Sequence, residues 1–160
     1  MFKIGDYIAH PMHGAGVIES IITKKINGAQ RDYYVLKLPV GDMVVMVPVV
    51  GCEDIGVRAI ISRSEAENVF DAFNELEISM TQNWNKRYRE NMDKIKSGNL
   101  LDVAAVVKGL MCRDNERGLS TGERKMLHSA KQILISELVV ATDMDYDGVE
   151  RRLCSALKEG

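Results

Sequence analysis

Three groups of residues have the types and spacing to do chemistry. The stretch HPMHG sets His10 and His13 three residues apart, and Cys52 offers a third ligand, so a shared metal ion is one reading. That pair has no acidic partner at ligand spacing, and no H-E-x-x-H occurs. A strand end followed by a turn set by Pro11, Gly14 and Gly16 accounts for the same residues. In DMDYDG, Asp143, Asp145 and Asp147 alternate and Gly148 takes the sixth place, as in an EF-hand loop. The twelfth place is Cys154, where that loop needs a bidentate Glu, so a solvated loop capping the last helix fits better. No nucleophile elbow, phosphate-cradling Gly loop or dinucleotide fingerprint is present. The sequence implies no catalytic residue, no metal site and no cofactor.

The third group is NWNKRYREN, residues 83–91, which holds the single tryptophan. Lys86, Arg87 and Arg89 lie within five residues of Trp84. Further cations follow at Arg113, Arg117, Arg124, Lys125 and Lys131, with His128 among them; Arg124, His128 and Lys131 fall at helical spacing. Cations beside two helix starts can hold phosphates. The ring has two readings from the residues alone. It is a partly buried packing residue, or an apolar wedge that presses on unstacked bases.

These residues need elements to position them. The first fifty residues read as β-structure: DYIAH, GAGVIESIITKKI, RDYYVLKL and DMVVMVPV are rich in Val, Ile and Tyr. Asn27-Gly28 is a hairpin signal, because both residues tolerate positive φ, and Pro39 with Gly41 marks a second turn. Alternation puts Tyr34, Leu36 and Leu38 on one face and Tyr33, Val35 and Lys37 on the other. Four or five short antiparallel strands in about sixty residues predict a small Tudor-like or SH3-like barrel.

From residue 62 the pattern becomes helical. Ser62-x-x-Glu65 and Ser120-x-x-Glu123 are capping boxes. Helices are expected over 62–75, 83–97, 99–113, 120–141 and 146–158, with breaks at SGN and ERGLS. Val103, Val106, Val107 and Leu110 form one apolar stripe; Leu127, Ala130, Leu134, Leu138 and Ala141 form another. Trp84, Tyr88 and Ile95 share a broad stripe on their helix. The expected fold is thus an α+β chain of two units: a β-barrel over 1–55, a connecting helix and linker over 56–82, and a compact all-α domain over 83–160.

Charge is unevenly spread. The whole chain is −2, which argues against a general nucleic-acid binder. Residues 1–79 carry −4, residues 80–131 carry +5 and residues 132–160 carry −3, so only the middle segment suits a polyanion. Three scattered cysteines without a C-x-x-C pair fit a reducing cytoplasm. The N-terminus has no signal-peptide pattern, and no apolar run approaches the ~20 residues of a membrane span. A cytoplasmic protein without a membrane or small-molecule partner is expected.

The order FKIGDYIAHPMHGAGVI, hairpin-rich strands, NWNKRYREN, and RDNERGLSTGERKMLHSAKQIL resembles the CarD/CdnL family of bacterial transcription regulators. The resemblance spans nearly the whole chain and is weakest after about residue 142. It implies a Tudor-like domain that binds the β subunit of bacterial RNA polymerase. It also implies a helical domain that contacts promoter DNA, largely independently of sequence and from the minor-groove side, at the upstream edge of the transcription bubble. Such a protein tunes open-complex stability and is no enzyme. The family's wedge tryptophan matches Trp84, and its DNA-facing cations match Lys86, Arg89 and Arg124; Arg87 and Lys125 adjoin them. Of two basic polymerase-facing positions, one falls on Lys24 and the other on Met46, which is apolar. Two other classes stay open: a polymerase-binding adaptor whose helical domain recruits another protein, and a metal-dependent enzyme built on His10, His13 and Cys52.

Overall fold

The computed structural model describes residues 1–78 and 80–158, with side chains to residue 155. Five strands come first: β1 (Tyr7–His10), β2 (Gly14–Ile26), β3 (Ala29–Leu38), β4 (Met43–Pro48) and β5 (Arg58–Ala59). They form one antiparallel sheet in the order β4-β3-β2-β1-β5, in keeping with the expected Tudor-like domain. The β2–β3 hairpin turns at Asn27 and Gly28, whose φ values of 51° and 81° are the left-handed pair that such a two-residue turn demands. Alternation on β3 follows the reading: Tyr34, Leu36 and Leu38 are buried, with Ile8, Ile18, Val47, Cys52 and Val57, in the sheet's own core.

Five helices follow: α1 (Arg63–Glu75), α2 (Trp84–Lys96), α3 (Leu100–Arg117), α4 (Thr121–Thr142) and α5 (Tyr146–Lys158). The expected stripes on α3 and α4 enter a second core: seven of their nine residues are buried in it, and Leu127 and Ala141 pack against it. Two expectations fail here. Residues 56–82 are not a bare connector, because Ala66, Val69, Phe70 and Phe73 of α1 are buried in that same helical core and Met80 packs against it. And α3 runs to Arg117 instead of residue 113, ending at Gly118 (φ 75°), whose N–H closes on the Asp114 carbonyl.

Capping explains the helix starts. Ser62 and Glu65 complete a reciprocal box at α1. At α4 only half the box forms: Ser120 Oγ accepts from the Glu123 N–H, while the Glu123 carboxylate is engaged elsewhere. Asn83 and Asn99 cap α2 and α3. The acidic loop does what its bland reading expects, since Asp145 Oδ1 accepts from the Gly148 N–H at the start of α5.

The two units are joined by polar contacts buried between β2, β5 and α4. Ser136 Oγ accepts from the Ala15 N–H at 2.9 Å, and Gly14 (φ 97°) lies so close to Ser136 that a Cβ there would collide with the hydroxyl. Arg58 donates twice to Glu137, at 2.6 and 2.9 Å, and once to the Gly98 carbonyl, while the Ile61 N–H donates to Glu137 as well. Ser136 and Glu137 are thus polar residues on an apolar stripe that stay buried because every oxygen has a partner.

Candidate nucleic-acid interface

Trp84 opens α2 and Ser120 caps α4, and the fold sets these two helix starts side by side. The indole Nε1 donates to Ser120 Oγ at 3.1 Å. One ring face stacks on Tyr88, with centroids 5.1 Å apart and planes 19° from parallel. Gly122, on the first turn of α4, lies beside the benzo edge of the indole: a Cβ there would be in ordinary contact with Cζ2, at 3.4 Å. The rest of the ring faces solvent, and Trp84 is 42% exposed. That is unusual for the largest apolar side chain of a protein.

Cations lie on the same two helices, near their starts. Lys86, Arg89 and Lys125 are exposed and, among the described residues, form no ion pair. Arg124 is 62% exposed; its Nε donates to the Leu119 carbonyl, and its guanidinium lies a loose 3.8 Å from Asp114. Both helix starts present their positive dipole ends at this end of the bundle.

Arg87 departs from the expectation. It is 2% exposed, and its guanidinium donates to Glu123 at 2.8 and 3.1 Å and to the carbonyls of Thr81 and Gln82. It cannot reach DNA. The hydrogen bonds to Glu123 hold the arginine well above and the glutamate below their usual titration ranges, so both stay charged. Glu123 is missing from its capping box because it serves this pair. Arg87, Asn91 and Ile95 make the inward stripe of α2, so Tyr88 and Trp84 flank the core instead of sharing Ile95's face. Polar side chains at Arg87 and Asn91 hid that stripe from any hydrophobic count; the i, i+4, i+8 spacing with Ile95 was its one available signal. Lys131 also leaves the cationic group, pairing with Glu150 of α5 at 2.8 Å.

The other sites lie on the sheet. Lys24 stands opposite Arg31, and Met46 opposite Val35, so both flank β3 on the same face, four residues apart along it. Between and around them this outward face carries Ile22, Tyr33, Val44 and Pro48, of which alternation in the sequence had placed only Tyr33. Val44 is 59% exposed and Met46 46%. His10 and His13 pack ring on ring at 4.5 Å, and burial, then His13, lower the His10 pKa to about 4. Cys52 is buried in the sheet core, and among the described residues no three His, Cys, Asp or Glu side chains gather to hold a metal. No described helix is long and apolar enough to cross a membrane.

The arrangement is a Tudor-like sheet unit followed by a helical unit with an exposed tryptophan at one end. Comparison with known proteins gives the class: this is a CarD-like transcription factor. Residues 2–61 match the CarD-like/TRCF RID domain, and residues 68–154 match the CarD C-terminal domain. The chain is also 38% identical over 140 residues to YdeB of Bacillus subtilis (strain 168), a candidate transcription factor, covering 88% of this chain and 92% of YdeB. The protein belongs to the CarD family. The RID family implies an interaction with RNA polymerase in general.

Proposed function

We propose that this protein is a non-enzymatic regulator of transcription initiation. The outward face of its sheet, with Lys24 and Met46, docks on the β subunit of RNA polymerase. Its helical end contacts promoter DNA at the upstream edge of the bubble, in the cytoplasm where polymerase works. The observation that carries this reading is Trp84: a stacked, hydrogen-bonded indole left 42% exposed, on helix starts whose exposed cations have, among the described residues, no close ion-pair partner.

The tether lets the DNA contact be weak. Docking on polymerase raises the local concentration of the helical end at one promoter position, so a chain of net charge −2 needs no strong affinity for free DNA. Lys86, Arg89, Arg124 and Lys125 hold phosphates without reading sequence. Trp84 meets the distorted duplex, which only the open form offers. A ring contributing about 1.4 kcal/mol in that state alone shifts the open-to-closed ratio roughly tenfold.

Footprinting of a polymerase–promoter complex with and without the protein tests this, together with open-complex lifetime. Protection at the upstream bubble edge that Trp84→Ala weakens, while polymerase binding persists, is the expected result. An unchanged footprint and lifetime with wild-type protein would overturn the reading in favour of an adaptor that recruits another protein.

A further inference from the structure

Ser120 is the other half of the tryptophan site. Its hydroxyl accepts two hydrogen bonds, one from the Glu123 N–H at 3.2 Å as the cap of α4 and one from Trp84 Nε1 at 3.1 Å. The first bond explains Ser120 as a helix start. The second has no role in capping, and it joins residues 36 apart in sequence. Tyr88 holds one ring face and Ser120 holds the indole N–H, so two residues, one on α2 and one capping α4, fix the plane of an otherwise exposed ring. An exposed tryptophan would ordinarily sample several rotamers, and ordering it on binding costs free energy.

We infer that Ser120 is a positioning residue for Trp84: it pre-orders the indole so that the ring meets DNA already in its working orientation. This rests on the proposed DNA-contacting role of Trp84. Ser120 also links the ring to α4, which carries Arg124 and Lys125, so wedge and phosphate grip move as one piece.

Capping and positioning separate experimentally. Glycine is nearly as good as serine at a helix cap, within a few tenths of a kcal/mol, but cannot accept from the indole. Ser120→Gly therefore removes the ring's bond and spares most of the helix, while Ser120→Thr keeps an acceptor for both. Trp84 is the sole tryptophan, so its fluorescence anisotropy decay in the full-length protein reports this ring alone. Ser120→Gly should add a fast depolarising component, on the order of nanoseconds or shorter, with thermal unfolding nearly unchanged. Ser120→Thr should restore the wild-type decay. In the polymerase–promoter assay Ser120→Gly should shorten open-complex lifetime about fivefold, the weight of one net hydrogen bond.

An unchanged anisotropy decay in Ser120→Gly overturns the inference without touching the proposed function. A mobile indole with full lifetime, where Trp84→Ala shortens it, also overturns it. If Trp84→Ala itself leaves lifetime unchanged, the reading of Trp84 fails, and the positioning role fails with it.

Discussion

Arg87 and Glu123 meet at 2.8 Å with both side chains 2% exposed, which makes them the most deeply buried ion pair among the described residues. The pair ties the first turn of α2 to the first turn of α4, beside the indole. Breaking a buried pair leaves a bare charge, so Arg87→Ala or Glu123→Ala should cost about 3–5 kcal/mol, whereas Arg87→Met with Glu123→Leu should be near neutral. Denaturant unfolding of the three variants checks this. The pair is a source of acid sensitivity too. The folded Glu123 pKa lies below its unfolded value of about 4.5, so its stabilisation is present above that pH and is lost as pH falls through the folded value. The double variant should lose less stability than wild type on acidification below about pH 4.5.

Trp84→Ala should destabilise only mildly. A fully buried tryptophan costs about 3–5 kcal/mol on truncation; this one keeps 42% of its surface in water, so about 1–2 kcal/mol is expected. A thermal unfolding loss at the full buried value would mark Trp84 as a core residue.

Lys86→Glu with Arg89→Glu should weaken binding to the promoter and flatten its salt dependence, by about 0.9 in the log–log slope for each phosphate that is no longer neutralised. Arg87 variants should not change that slope at matched folded fraction, because that guanidinium is buried. Salt titrations of promoter complexes distinguish the two.

On the sheet, Lys24→Glu should reduce polymerase affinity. Met46→Arg should alter it as well, since Met46 replaces a basic position with exposed apolar surface. Affinity unchanged by Met46→Arg but abolished by Lys24→Glu would remove Met46 from the docking surface.

Much of this was legible from the chain alone. Alternation at Tyr34, Leu36 and Leu38 placed the sheet core, and Ser62 with Glu65 marked the start of α1. The Trp84 cluster was visible as composition. What stayed hidden was the direction in which charges point. Arg87 and Arg89 are two residues apart and chemically equal, yet the helix turns one inward and one to solvent, and only a tertiary partner, Glu123, makes the inward position tolerable. Ser120 looked like half of a capping box because its bond to Trp84 crosses 36 residues. The role of α1 was missed because its short apolar run reads equally as connector or core.

Arg58→Ala should loosen the joint between the units. It strips two hydrogen bonds from Glu137, which is 2% exposed, and leaves it the Ile61 N–H. Because Arg58 itself is 33% exposed, the cost should be about 2 kcal/mol, less than for a fully buried pair. Thermal unfolding and the spread of the solution scattering profile check both effects.

That joint has a further meaning. The contacts of Ser136, Glu137, Gly14 and Arg58 resist pivoting of the sheet against the bundle, so a near-constant span from Met46 to Trp84 is expected. On the proposed function, the protein works as a fixed-jaw calliper on the initiation complex: one jaw clamps polymerase, and the other closes only where the DNA opens at the matching distance. Promoters that open a base pair early or late would then be felt as misfits, and discrimination among them would come from length instead of from sequence.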